Sequence, residues 1–434
     1  MTTYVPSTPS QQQEMLDCIG YKDIMDLYSA VPESLFADKL DLPQGTSELE
    51  LSQTMQEIAS QNTVYNSIFR GAGAYNRYIP SIVKTVMSKE EFVTAYTPYQ
   101  AEISQGVLQS IFEYQSMVCD LTGLDASNAS MYDGASATAE AAIMCQERKR
   151  SRVVISETVH PETIATVKTY CSARGIEVSV IPALQGSTDA AAMNEALGED
   201  GACGIFQQPN YYGIIEDSHQ IINAVHENGA RAVMIAEPIS LGVLESPGEL
   251  GADICAMEGQ PLGLPLSFGG PYIGILTCTQ ALVRKLPGRI VGQTTDAKGN
   301  RCFVLTLQAR EQHIRREKAS SNICSNQALC ALGVGVYLAS MGHAGLEKAA
   351  NLGHSKAQYA QEEICKIDGF DLVFNKPFMN EFLTTAPQNF DEIEANCLAA
   401  GILPGVKIAE GVLWCTTEMN SKAQIDALVE ILKG

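Results

Sequence analysis

The stretch from Ala236 to Gly274, AEPISLGVLESPGELGADICAMEGQPLGLPLSFGGPYIG, has the layout of a cofactor-anchoring segment and lacks the residue that would anchor. An apolar strand is predicted to end at Glu237, and a second short strand to cover Ala252 to Ala256. A loop with Gln260 then leads into the tight turn Ser267-Phe268-Gly269-Gly270-Pro271, and no lysine occurs between Lys168 and Lys285. The segment offers a strand-end carboxylate and a glycine-rich turn with no amine between them.

Three other stretches carry side chains suited to a ligand or a partner. Phe69 to Pro80 holds Arg70, Tyr75, Arg77 and Tyr78 around Gly71 and Gly73, and Ala95 to Gln100 holds Tyr96, Tyr99 and Gln100 around Pro98. Glycine opens backbone conformations closed to other residues and Pro98 drives Thr97 toward an extended shape, so both read as ordered loops. Each is either a surface that meets something or an Ω-like structural loop. The run Arg310 to Lys318, with Arg315, Arg316 and Lys318, concentrates cations in an acidic chain. It reads as a solvated helix face with local ion pairs or as a contact for acidic groups. Asp133-Gly134-Ala135-Ser136 opens a helix whose first amides either cradle a phosphate or are capped by the aspartate.

The elements that must position these residues follow a clear order. Helices are predicted over Asp17 to Ala30 and Ser47 to Ala59, as a docking arm or small helical layer, then a short one from Ser81 and another over Glu102 to Cys119. From Tyr132 helix and strand alternate, with strands at Arg152 to Ser156, Ile176 to Ile181, Cys203 to Gln207 and Ala232 to Ala236. Strands separated by helices of this length mark a mainly parallel sheet covered on both faces. Further strands are expected at Ile273 to Cys278 and Cys302 to Leu307, the latter approached through a polar hairpin at Asp296 to Asn300. A helical passage from Asn326 to Lys366, broken near Gly342, leads to strands at Asp371 to Phe374, Glu381 to Thr385 and Val412 to Thr416 with helices at Phe390 to Ala400 and Lys422 to Leu432. The predicted domains are a helical arm over 1–65, a major α/β domain over 66–330 and a small α/β domain over 331–434.

Composition narrows the function classes. With 29 Lys+Arg against 50 Asp+Glu the net charge is -21, which argues against nucleic acid or an anionic membrane as main partner. The polar opening MTTYVPSTPSQQQ predicts no secretory signal, and no apolar run is read as reaching the ~20 residues that span a bilayer, so a cytoplasmic location is expected. Thirteen cysteines lie scattered without a C-x-x-C pair, at apolar positions such as Cys119, Cys203, Cys255 and Cys330, and most read as reduced core residues. His219 and His226 share a helix face without a third ligand, so no metal site is expected.

The motifs are more specific than this order of elements. GAGAYNRYIP (Gly71 to Pro80), TAYTPYQAEISQGVLQSIFEYQ (Thr94 to Gln115), LTGLDASNASMYDGASATAEA (Leu121 to Ala141), EGQPLGLPLSFGGPYIG (Glu258 to Gly274) and LQAREQHIRREKASSNICSNQALCAL (Leu307 to Leu332) span the chain. They resemble the glycine decarboxylase P-protein of the glycine cleavage system, and within it the alpha subunit, or subunit 1, of the two-subunit form. Arg77 departs from the pattern, standing where that family usually has histidine.

The resemblance implies an α/β fold like aspartate aminotransferase, pyridoxal-phosphate fold type I. It also implies a homologous beta subunit that alone holds pyridoxal 5'-phosphate on a lysine, with an alpha2beta2 assembly. Aligned on Pro265 to Pro271, that lysine falls on Gln260, whose amide cannot form a Schiff base, so no cofactor is expected in this chain. Glu237 ends the strand where fold relatives place the partner of the pyridinium nitrogen, and is either that group or its vestige. The implied reaction decarboxylates glycine on the cofactor as electron sink and passes the aminomethyl group to the lipoyl arm of H-protein, releasing CO2. Tyr96, Tyr99 and Gln100 would serve the partner's active site, with Arg70, Tyr75, Arg77, Tyr78, Arg315, Arg316 and Lys318 facing substrate or interface. Two alternatives stand beside this: a non-catalytic scaffold for the cofactor-carrying partner or H-protein, and a self-sufficient enzyme using Lys285, Lys298 or Lys318.

Overall fold

Side chains along the central strands alternate between two buried faces, as a parallel sheet covered by helices on both sides requires. Val153, Ile155, Ile205, Val233, Ile254 and Leu276 enter one apolar cluster, while Val154, Phe206, Met234, Cys255 and Ile275 enter another on the opposite face. A computed structural model describes residues 6–37, 41–267 and 269–434, so Phe268 of the predicted turn lies outside the described residues. The chain divides into two compact units, Met1–Val64 and Tyr65–Gly434.

The first unit contains α1 (Pro9–Ile19), single-turn segments at Ile24–Tyr28 and Glu33–Leu35, and α2 (Glu48–Ser60). Thr8 and Ser47 start the two helices with side-chain caps on the backbone amides of Gln11 and Glu50. The helix expected from Asp17 to Ala30 is corrected here: Gly20 adopts φ 81°, a left-handed cap that ends α1. The stripe Leu49, Leu51, Met55 and Ile58 of α2 is exposed.

In the second unit, α3 (Gln105–Thr122) precedes a seven-stranded sheet made of β1 (Ala126–Ser127), β2 (Arg152–Ser156), β3 (Val178–Ile181), β4 (Gly201–Gln208), β5 (Arg231–Ala236), β6 (Ile254–Glu258) and β7 (Gly274–Cys278). Their spatial order is β1-β7-β6-β5-β4-β2-β3; the five from β6 to β3 run parallel, β7 runs antiparallel to β6, and β1 pairs antiparallel with β7. Between them run α4 (Gly134–Met144), α5 (Pro161–Ser172), α6 (Ala190–Leu197) and α7 (Ser218–Glu227). α4 is buried on all sides because alanines let it lie close against β6 and β7. The expected hairpin is present as β8 (Ile290–Thr295) paired with β9 (Arg301–Thr306).

α8 (Ala328–Ile364) is interrupted at Gly342, where φ 58° and ψ -176° are not helical. Its most apolar 18-residue window has a mean hydropathy of 1.5, so it is long and apolar enough to cross a membrane, correcting the expectation that no run reaches that length. Here Cys330, Val334, Tyr337, Leu346 and Ala350 of α8 join the core under the sheet. The remaining layer pairs β10 (Glu381–Thr384), β11 (Val406–Ile408) and β12 (Gly411–Cys415) in the order β10-β12-β11, with α9 (Phe390–Ala399) and α10 (Lys422–Leu432) packed on a core of Trp414, Phe370, Phe382 and Ile425. The strand expected over Asp371 to Phe374 is reduced to a bridge between Leu372 and Thr384. All thirteen cysteines are free, eight of them buried.

Candidate functional site

Ligands of open α/β sheets bind beyond the carboxyl ends of the parallel strands, where helix N-termini converge. A cavity of ≈290 Å³ lies there, lined by Gln207 of β4, Ala236 and Glu237 after β5, Glu258 of β6, Asp133 to Ala135 at the start of α4, His160, and the loop Ala72 to Tyr75. Among the described residues no lysine lines it.

The start of α4 is already occupied by a carboxyl group from this chain. Glu258 Oε2 accepts from the Gly134 amide at 3.0 Å, and Oε1 accepts from the Gln260 and Ile273 amides at 2.9 and 3.3 Å. Burial pushes this carboxyl up to about 7, against the pull of the three amides. The contact depends on glycine: a Cβ at position 134 would lie 2.7 Å from the Glu258 nitrogen, and one at 274 would lie 2.2 Å from the Asp133 carbonyl. Asp133 itself caps the helix through Ser136 N at 2.7 Å. Of the two roles open for this turn, capping is what the geometry displays.

Gln260 is fully buried and makes three hydrogen bonds across the cavity wall. Its Oε1 accepts from Tyr75 N at 2.9 Å, and its Nε2 donates to Tyr75 O at 3.0 Å and Leu264 O at 2.7 Å. The side chain thus pairs with the loop at Tyr75 much as a neighbouring strand would. Glu237 is likewise engaged, with Oε2 accepting from Ser240 N at 2.7 Å and Oε1 lying 3.2 Å from Arg77 Nη2. Arg77 also reaches Glu418 Oε2 at 2.9 Å, with 2% of its side chain exposed. Burial works against that guanidinium, yet Glu237 and Glu418 together raise its pKa above the ordinary value.

Tyr75 completes the network. Its hydroxyl donates to Glu381 Oε2 at 2.7 Å while Ala72 N donates to Oε1 at 2.7 Å, and burial pushes Glu381 up to about 7. Gly71 and Gly73 make this approach feasible: a Cβ at 71 would lie 2.4 Å from Glu381 Oε1, and Gly73 has φ +103° with His160 Nε2 3.0 Å from the Cβ position. His160 accepts at Nδ1 from Glu162 N, so Nε2 donates to Ala72 O at 3.0 Å.

The sequence-predicted residues thus fall in several places. Tyr75, Arg77, Gln260 and Glu237 come together around the cavity. Arg70 pairs with Glu394 at 3.0 Å, and Tyr78 is half-exposed with its amide on Glu418. Tyr96, Tyr99 and Gln100 stand on an exposed loop beside a separate cavity; Tyr96 is 90% exposed, while the Tyr99 ring lies under the Arg289 guanidinium at 5.4 Å and edge-on to His313. Arg315 and Lys318 line a third cavity. Lys298 is exposed in the β8–β9 turn and Lys285 donates to Gln146 O, so neither reaches the first cavity. Among the described residues no group of side chains could hold a metal, and His219 and His226 pair instead with Glu245 and Asp253.

Glu258, Glu381 and Glu418 were missed because their roles depend on contacts made 124 to 341 residues away in the chain. Glu258 carried one local signal: it is the only charged residue in the strand Ile254–Glu258, at its very end.

The residues present do not fit pyridoxal phosphate. Its phosphate would meet the Glu258 carboxylate in the amide cup, its ring nitrogen would find Glu237 already paired with Arg77, and its aldehyde would face no amine. The fold nevertheless matches enzymes built on that cofactor, among them a C-DES mutant with glycine covalently linked to its PLP cofactor (TM-score 0.63, 14% identity, 87% of this chain and 98% of that one). Much more similar is a crystal structure of glycine decarboxylase (P-protein) of the glycine cleavage system in inhibitor-bound form, with a TM-score of 0.93 and 39% identity over 100% of this chain and 99% of that one. A probable glycine dehydrogenase (decarboxylating) subunit 1 from Desulfitobacterium hafniense is 47% identical over 438 residues, 98% of each chain. One from Moorella thermoacetica is 45% identical over 441 residues, 100% of this chain and 99% of the other. With the family described as Glycine cleavage system P-protein matching residues 2–432, the chain belongs to the glycine cleavage system P-proteins.

Proposed function

We propose that this chain is subunit 1 of a two-chain glycine dehydrogenase (decarboxylating), and that a homologous partner subunit carries the pyridoxal phosphate. The partner's cofactor would take the electrons released as glycine loses CO2, and the aminomethyl group would pass to the oxidised lipoyl disulfide of H-protein, which is reduced. The observation that carries the division of labour is the internal closure of the cofactor-type cavity: Glu258 on the α4 amides, Arg77 on Glu237 and Gln260 on Tyr75. The name subunit 1 borne by its relatives supports a partner chain.

In this reading the chain contributes walls to a site it does not own. Tyr96, with its ring in solvent, and Tyr99 and Gln100 beside it are available to a partner surface, and the tyrosine hydroxyls can donate to a carboxylate there. Arg315, Arg316 and Lys318 offer cations to acidic groups of the partner or of H-protein. Glycine–bicarbonate exchange tests the reading: none with this chain alone, none or little with the partner alone, and full exchange on mixing. Full activity of the partner alone would make this chain a scaffold. A borohydride-sensitive absorbance of this chain with added pyridoxal phosphate would make it a self-sufficient enzyme.

A further inference from the structure

In a chain of net charge -21, six cations gather around one cavity of ≈750 Å³: Arg174, Arg284, Lys285, Arg310, Arg315 and Lys318. It lies at the C-terminal end of α4 and the start of β2, the opposite end of that helix from the cofactor-type cavity. Among the described residues the one acid lining it is Glu140, which is buried and accepts from Ser321 Oγ at 2.7 Å. None of the six makes an ion pair within 4.0 Å among the described residues, whereas Arg70, Arg77, Arg152 and Arg231 elsewhere all do.

Four of the six are held by backbone carbonyls. Arg174 Nη2 donates to Ser320 O at 2.6 Å, Lys285 Nζ to Gln146 O at 3.1 Å, Arg315 Nε to Ala309 O at 3.1 Å, and Arg310 Nη1 to Leu286 O. The heads are thereby oriented but not neutralised, and Arg310 keeps Nε and Nη2 without an acceptor. Helix C-termini favour cations, which accounts for Lys285 at the end of α4 and Arg174 just beyond α5. It leaves Arg284, Arg310, Arg315 and Lys318 unexplained. Like charges held together in a concave site repel unless an anion joins them, and four guanidinium forks match the oxygens of phosphate groups in pairs.

We propose that this cavity binds a small, multiply charged phosphate anion, either free polyphosphate or the phosphate chain of a nucleotide. The site shares Arg315 and Lys318 with the run offered to the partner or H-protein, but its test uses this chain alone, so its outcome is distinguishable from that of glycine exchange.

The full chain is titrated calorimetrically with sodium tripolyphosphate and, in a second arm, with magnesium-free ATP, at low and moderate salt. Arg284→Gln and Lys318→Gln remove charges that make no hydrogen bond among the described residues, so the fold is retained; the double variant is expected to weaken binding at least about tenfold. Added salt weakens the wild type as well. Equal affinity for both probes assigns the site to the phosphate chain alone, and tighter ATP binding to a nucleotide. The proposal is overturned by absent saturable binding at low salt, by an equal loss in Lys407→Gln, whose lysine pairs with Asp391 on another surface, or by tighter binding of oligoglutamate, which would make the cavity a dock for an acidic protein segment.

Discussion

Replacing Arg77 with methionine tests whether the loop from Gly71 to Pro80 is held by charge. The guanidinium is 2% exposed and bridges Glu237 and Glu418, themselves 11% and 8% exposed, at 3.2 and 2.9 Å. Methionine keeps most of the stem's packing but leaves two buried carboxylates without the cation that bridges them. Breaking one buried pair costs about 3–5 kcal/mol, because the remaining charge stays desolvated, and two carboxylates put the expectation at the upper end of that range. The internal control is Arg70→Met, which removes a pair of similar length whose side chains are 33% and 29% exposed. Solvent screening limits that loss to about 0–1 kcal/mol. The single tryptophan, Trp414, is buried in the core of the β10–β12 layer and reports urea unfolding by fluorescence. A second variant, Arg77→Met with Glu418→Gln, removes one orphaned charge and should regain part of the loss, since a glutamine Oε1 can still accept from Tyr78 N. If Arg77→Met costs no more than Arg70→Met, or the double variant regains nothing, charge does not hold this loop.

Four further outcomes follow from the same contacts. Burial raises Glu381 to about 7, so its contribution to stability is full below its unfolded pKa and lost as pH rises through about 7; the shift corresponds to about 3 kcal/mol. Glu381→Gln keeps an acceptor for Ala72 N and lets Tyr75 OH reverse its hydrogen bond, so urea midpoints should fall less from pH 5 to 8 than in the wild type; parallel profiles would place the titration elsewhere. Gln260→Lys alone should yield no borohydride-sensitive absorbance with pyridoxal phosphate, because Glu258 still fills the α4 cup, and a stable band would contradict that occlusion. Tyr96→Phe and Tyr99→Phe should lower turnover or raise the glycine KM in the reconstituted complex, and unchanged values in both would remove the tyrosines from the reaction. Arg315→Glu with Arg316→Glu should weaken binding to the partner or to H-protein at low salt, as measured by interferometry; undiminished affinity would return that run to a solvated face.

The sequence by itself determined the large elements and the family. Short apolar runs set between helices delimited β2 and β5 to within a residue, and Gly342 marked the break in α8, because these signals are local. It also determined that no lysine lies between Lys168 and Lys285, whereas the fold decided that the outlying Lys285 and Lys298 stay away from the cavity. The tertiary structure decided what fills the place of the missing chemistry. Gln260 reads in sequence as an absence, yet folded it clamps the Tyr75 backbone, 185 residues away, with two hydrogen bonds and holds Leu264 O with a third. Arg77 reads as a departure from the family and proves to be the counter-ion of Glu237 and Glu418. Glu258 and Glu381 acquired meaning only when burial and distant amides surrounded them, and Arg315 and Lys318 only when Arg174, Arg284 and Arg310 arrived from other elements. Hydrogen bonding and burial of charge depend on neighbours in space, so local periodicity carries the scaffold while the charge partners of the site are set by folding.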